Sequence, residues 1–499
     1  MNLIANTGIQ FFTKKIEIDL NDNFKMYFHE SLDIEDQLLK MELVHHFSDY
    51  DLWVRKRDLA FLGYLNVQDR QENGRIIKKG TVNASWDEIK DDFISSGYTT
   101  IPIETATPEE SGCFRVNLNK CRLERFENRW MPLPFFTLGN NNNSEFGPTN
   151  WCRFKLIPVS TTKSIKTYNL LLAFDTRAKY EDEDFEDQDL METPVFESAY
   201  DKYKQFALCN NEFSLLNFCS KANNCEWVDE YILKLYHGVN KIDELNVRKP
   251  KLNYLAQYIF ILQYIQQLDI LPNISLFSDK NVAFGNVDLV VDIGNSRTCA
   301  VLFDDSDFTK VEPLALQNFT SPIRNNQLNS CNDPFDMRLA FREADFGGNM
   351  IEGSSQFVYP SMVRLGVEAE SLIYKATHQN TGIEKTTTFS SPKRYLWDSK
   401  PQEKEWGFVT LEDEKSKSIW IKGVSEQLNS DGSINTLGEG GVIMYYSRKA
   451  LMTFSFLEIL AQAKAQINSY KFRHKWGNES TPRRIGRIII TCPTAMSRV

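Results

Sequence analysis

Seven consecutive residues near the middle of the chain, Asp292-Ile293-Gly294-Asn295-Ser296-Arg297-Thr298, carry side chains whose chemistry fits together. Gly294 permits backbone angles and a close approach that a Cβ would block. The amides of Asn295 and Ser296 can then converge as a nest for phosphate oxygens. Asp292 offers a carboxylate for Mg2+, reached through bound water because this ion keeps several of its waters. The hydroxyls of Ser296 and Thr298 add donors. The same residues also fit a plain hairpin turn with glycine in a left-handed conformation, since short glycine motifs match by chance.

Other chemistry-bearing residues are less well placed. His45, His46 and His378 lack the ligand spacing a zinc site demands, and so do Cys219 and Cys225. They read as surface or satisfied core residues. No serine stands in a nucleophile-elbow context. Trp130-Met-Pro-Leu-Pro-Phe-Phe136 is a proline-punctuated apolar run that fits a partner groove or, more simply, a sheet edge, where proline sits naturally.

The turn needs strands to hold it. Val287–Ile293 and Thr298–Phe303 are apolar runs on either side, and Asp304–Asp307 makes a second turn into 308–316. Ala450, Leu451, Phe454, Leu457, Leu460, Ala461 and Ile467 recur at helical spacing, and a short strand follows at Arg487–Thr491 before Cys492-Pro493. Meander, helix and later strand predict a mixed α/β lobe over residues 284–499.

Upstream, residues 1–178 read as β-rich, with strands in Arg153–Pro158 and Asn169–Phe174 and an Asn-rich loop over 139–149. Residues 193–283 read as a helical connecting region. Leu252, Leu255, Ile259, Leu262 and Ile265 form its main stripe, bracketed by Pro250 and Pro272.

Composition excludes several classes. At 499 residues, 42% apolar and 25% charged, the chain has room for two to four domains of ordinary make-up. Its net charge of −10 is local: residues 284–499 carry 25 bases and 25 acids, whereas Glu181–Glu192 carries eight acids and no base. Such a run predicts a solvated loop, with an acidic docking strip as the other reading. Nothing resembles a basic nucleic-acid footprint. No apolar run reaches the roughly 18 residues of a membrane span, and the N-terminus lacks a secretory signal pattern. Nine scattered cysteines without a C-x-x-C pair suit a reducing cytoplasm, and a signal-less secretion route stays open.

Several motifs in order point to known families. The 292–298 turn resembles the first phosphate motif of the actin, Hsp70 and sugar-kinase superfamily. Tyr359-Pro-Ser-Met-Val-Arg364 resembles an Hsp70 segment in which Pro-Ser precedes a strand. Ser391-Pro-Lys-Arg-Tyr-Leu-Trp397 resembles the stretch whose lysine reaches the γ-phosphate and the attacking water. Ile488-Ile-Ile-Thr-Cys-Pro-Thr-Ala495 resembles the strand ending in a proline that relays nucleotide state. Across the whole chain, Ala5-Asn-Thr-Gly-Ile-Gln-Phe11, Gly147-Pro-Thr-Asn-Trp151, Leu172-Ala-Phe-Asp-Thr176 and Thr491-Cys-Pro-Thr-Ala-Met496 look like the bacterial SrfB virulence-factor family, as does the turn above all.

The resemblance implies an α/β first lobe of an actin/Hsp70-like ATPase over about 285–499, whose second phosphate motif and adenosine-binding glycines lie outside these residues. It implies ATP and Mg2+ as ligands. Asp292 would hold metal-bound water, Gly294, Asn295, Ser296 and Thr298 the phosphates, and Lys393 the γ-phosphate, with Pro493 transmitting the change. Asn295-Ser296 departs from the Thr-Thr of Hsp70, which loses a hydroxyl and keeps open a non-catalytic scaffold that retains the fold. A sugar-kinase-like phosphotransferase lacks an identifiable substrate-facing aspartate. The N-terminal region, without a catalytic constellation, is expected to recognise an unknown protein partner.

Overall fold

A computed structural model of the chain describes residues 1–32, 39–47, 52–55, 70–72, 75–77, 100–101, 113–119, 121–139, 145–180, 193–196, 202–209, 218, 226–238, 252–278, 282–318, 334–341, 344, 346–347, 357, 359–378, 388–397, 407–408, 419–420 and 450–491. Over these residues the protein is mixed α/β and strand-rich. Pro493, the acidic run Glu181–Glu192, Cys219, Cys225 and residues 140–144 of the Asn-rich loop lie outside them, while Glu145–Thr149 of that loop is a strand.

The N-terminal part is built on strands β1 (Asn2–Ile4), β2 (Ile9–Asp19), β3 (Trp130–Pro132), β4 (Phe135–Leu138), β5 (Glu145–Thr149), β6 (Cys152–Thr162), β7 (Ile165–Asp175), β8 (Tyr203–Leu208) and β9 (Ile274–Phe277), with helices α1 (Glu226–His237) and α2 (Asn253–Gln267). One sheet has the order β3-β6-β7-β2, the other β1-β9-β8-β4-β5. Both contribute to one apolar cluster that runs from Leu3 to Leu276, with Phe135 against Phe174 and Trp151 against Phe206. A further antiparallel sheet joins Lys25–Leu32 to Leu39–Phe47 and Cys113–Asn117.

The apolar run at 130–136 serves two sheets. Trp130–Pro132 is the edge strand the prolines suggest, while Phe135–Leu138 lies between β8 and β5 inside the second sheet. The chain crosses at Leu133-Pro134, where no ladder needs the missing proline N–H. Helix α2 also exceeds its single stripe. Eleven of its residues, from Tyr254 to Ile265, are buried, so it is a core helix that is apolar nearly all round. Its tyrosine hydroxyls end on partners: Tyr258 donates to the Pro132 carbonyl at 2.8 Å and Tyr254 to Asp229 at 2.7 Å.

The C-terminal part holds β10 (Gly285–Ile293), β11 (Arg297–Asp304), β12 (Val311–Pro313), β13 (Phe335–Asp336), β14 (Arg338–Phe341), β15 (Val363–Leu365), α3 (Gly366–His378), β16 (Thr388–Ser390), a 3-10 turn at Pro392–Trp397, α4 (Ala450–Ile467), α5 (Tyr470–Lys475) and β17 (Arg483–Thr491). Its main sheet has the order β12-β11-β10-β17. The first three strands form an antiparallel meander. β17 returns parallel to β10 after α4, as a parallel pairing requires a crossover.

Alternation in β10 separates two faces. Val287, Leu289, Val291 and Ile293 are buried in a second apolar cluster with Phe454, Ile459 and Ala463 of α4. Two amides on α4 fix the segment after β12: Gln466, half-buried, bonds the backbone of Pro313 and Ala315, and buried Gln462 that of Gln317.

The two parts touch through Arg153, whose guanidinium is fully buried. It lies over the rings of Phe357 at 4.4 Å and Trp227 at 5.1 Å, and its Nε donates to the Gly347 carbonyl at 3.1 Å. Gln10 on β2 donates to the Ala465 carbonyl of α4 at 3.2 Å.

Candidate functional site

The 292–298 segment is a hairpin turn between β10 and β11, with Ile293 paired to Thr298. The Gly294 N–H donates to the Arg297 carbonyl at 2.9 Å and closes the loop. A Cβ at position 294 would stand 2.3 Å from that oxygen, so the turn excludes every side chain there. The requirement is close approach rather than a left-handed φ. Asn295 and Ser296 form the exposed tip, and among the described residues no protein acceptor takes their N–H groups.

Asp292 is exposed at the end of β10 and accepts a hydrogen bond from the Thr491 hydroxyl of β17 on Oδ1. Among the described residues nothing bonds Oδ2. Asp292 stands opposite Cys299 on β11 and beside Thr491 on β17, so three polar side chains form a row across the sheet. Cys299 is exposed, whereas Cys121, Cys152 and Cys209 are buried.

Lys393 reaches the same turn from 100 positions away, its ammonium donating to the Ile293 carbonyl at 2.5 Å. Two backbone bonds deliver it. Met337 N–H donates to the Ser296 carbonyl at 2.8 Å, and Ser391 N–H donates to the Met337 carbonyl at 2.9 Å. Ser391 turns the chain at φ +54°, a conformation serine rarely adopts, and starts the 3-10 turn that carries Lys393. Arg297 pairs with Asp336 at 3.2 Å on the exposed side.

Thus Asp292, Gly294, Asn295, Ser296 and Lys393 come together. Thr298 does not join them at the surface: it is fully buried, and its hydroxyl has no hydrogen-bond partner among the described residues. The Tyr359–Arg364 segment serves α4 instead. Arg364, fully buried, pairs with Glu458 at 3.1 Å and lies 4.8 Å from the Tyr359 ring centre. Burial raises the Glu458 carboxyl above the ordinary glutamate range even beside that cation.

Sequence reasoning had not assigned Thr491 or Cys299 to the site. Asp292 was legible as a carboxylate at a strand end, but its neighbours depend on strand register. A cavity of about 450 Å3 lies elsewhere, lined by β4, β8, β9 and the end of α2 without any residue of the turn. Among the described residues no three metal-ligating side chains cluster, and no helix is long and apolar enough to cross a membrane.

Fold and turn together define a strand-rich α/β protein whose C-terminal sheet presents a glycine-closed hairpin flanked by a carboxylate and an ammonium. Comparison with protein families matches residues 1–499 to the family described as Virulence factor SrfB, and the chain belongs to that family. Curated proteins and solved structures yield no match.

Proposed function

We propose that this SrfB-family chain binds a magnesium nucleotide, ATP being the expected one, at the 292–298 turn, as an ATPase-like protein of the actin/Hsp70 type. The observation that carries this reading is the convergence of the Asp292 carboxylate, the Lys393 ammonium and two uncommitted amides on one turn. Phosphoryl transfer depends mainly on positioning and charge stabilisation, which such a set supplies.

In this reading the tip amides and Lys393 neutralise phosphate oxygens, and Asp292 orients metal-bound water. Two observations favour a scaffold that keeps the fold without turnover. Asn295-Ser296 stands where Hsp70 has two threonines, and the Thr298 hydroxyl is buried away from the tip. Calorimetric titration of the full-length protein with ATP, with and without Mg2+, separates the readings from Asp292→Ala. Mg2+-dependent binding in the wild type that loses this dependence in the variant is the expected result. Equal binding of Mg·ATP by both would remove the turn from consideration as a phosphate site.

The N-terminal part, with no comparable constellation among its described residues, is the part we assign to a protein partner. Cross-links to a partner that fall only within 284–499 would overturn that assignment.

A further inference from the structure

β17 begins beside β10 with Gly285 opposite Arg483 and Val287 opposite Ile485, then slips so that Leu289 stands opposite Ile488. The extra residue is taken up at Gly486-Arg487, a bulge in the edge strand. Continued without that slip, the initial register would put Ile490 beside Asp292. With it, Thr491 occupies that place. Bulges commonly re-aim a side chain in this way.

The bulge is held at both of its residues. A Cβ on Gly486 would stand 3.1 Å from the Asn286 Cβ, so the strands approach closely there. Arg487 forks onto Asp288, with Nε at 3.1 and 3.0 Å from the two carboxylate oxygens. Four residues further along both strands, on the same face, the Thr491 hydroxyl donates to Asp292 Oδ1.

We infer that Thr491 is a positioning residue for Asp292, delivered by the β17 bulge, and that it prepares the carboxylate for a metal-bound water on Oδ2. The inference rests on the magnesium-nucleotide reading above. An exposed aspartate has a broad, roughly two-fold terminal torsion. A single hydroxyl donor on Oδ1 narrows that torsion before the ligand arrives, so less ordering is lost on binding. Cys299, the neighbour on the other side, offers only a weak S–H donor.

The test uses the full-length protein with Thr491→Val and Thr491→Ser, titrated with ATP across a Mg2+ series. Valine keeps the β-branched shape, so the strand is preserved while the hydroxyl is lost. Thr491→Val is expected to bind Mg·ATP about 5- to 10-fold more weakly, the scale of one ordinary net hydrogen bond, with metal-free ATP unchanged. Thr491→Ser restores Mg·ATP binding. Arg487→Ala, which releases the bulge without touching the site, is expected to shift Mg·ATP binding in the same direction and covers the case in which Thr491→Val does not fold.

Wild-type Mg·ATP affinity in Thr491→Val, or in Arg487→Ala where the valine variant does not fold, overturns the positioning role and leaves the nucleotide reading intact. Equal weakening with and without Mg2+ overturns it too, because that marks a merely structural hydroxyl. A wild-type protein whose ATP binding ignores Mg2+ removes the nucleotide reading and this inference with it.

Discussion

The Lys393 ammonium and the Ile293 carbonyl meet at 2.5 Å, which fixes a positive charge at the mouth of the Gly294 turn. Backbone bonds from Met337 and Ser391 hold the segment there independently of the side chain. Lys393→Ala is therefore expected to leave ATP binding largely intact while slowing hydrolysis by about 10²–10³-fold, the usual cost of one positioned electrostatic donor. Titration and steady-state turnover of the full-length protein check it. Unchanged turnover, where the wild type has turnover, excludes a role for this lysine.

Gly294→Ala forces a Cβ against the Arg297 carbonyl, 2.3 Å away. The hairpin must open or strain, at an expected cost of about 1–3 kcal/mol. Asn295→Ala at the exposed tip is expected to change stability by no more than about 0.5 kcal/mol. Urea denaturation of the two variants makes the comparison, and equal stabilities would contradict the described turn.

Cys299 stands exposed beside Asp292, while Cys121, Cys152 and Cys209 are buried. Its alkylation by iodoacetamide should slow when Mg·ATP fills the turn. Mass spectrometry of the Cys299 peptide follows the rate. A Cys299 rate that saturating Mg·ATP leaves untouched argues against nucleotide near β11.

Arg364 and Glu458 tie β15 to α4 through a fully buried pair. Removing one partner strands the other charge, so Arg364→Met and Glu458→Gln should each cost about 3–5 kcal/mol, and Arg364→Met with Glu458→Met less than their sum. Burial holds the folded Glu458 carboxyl above its ordinary value, so the folded state binds its proton more tightly than the unfolded state. This contribution to stability is complete below the ordinary glutamate value and is lost as pH rises through the raised one. Denaturation midpoints across acid to neutral pH should therefore fall less steeply in Glu458→Gln than in wild type. Parallel profiles would contradict the raised value.

The Asp292–Thr298 turn was legible because its information is local. Two apolar strands, a glycine whose Cβ has no room and an aspartate at a strand end all lie within a few residues of one another. Helix α4 and strands β10 and β11 were legible as elements for the same reason, although α4 buries Ser455, Glu458 and Gln462 and leaves Leu457, Leu460 and Ala461 only partly buried.

What surrounds the turn was decided by tertiary structure. The pairing of Thr491 with Asp292 depends on a one-residue bulge at Gly486-Arg487, and no local preference encodes where a parallel strand slips. Strands β8 and β9, far along the chain, enter the same sheet as β1 and β4, so the β-rich and helical segments share one core. Arg153 stands in a segment whose pattern marks only a strand, yet two aromatic rings and a distant carbonyl desolvate it completely. Sequence by itself determined which residues could be apolar, turning or charged. Only the folded chain decided which of them meet, because long-range register and burial arise from the summed packing of segments that carry no mark of one another.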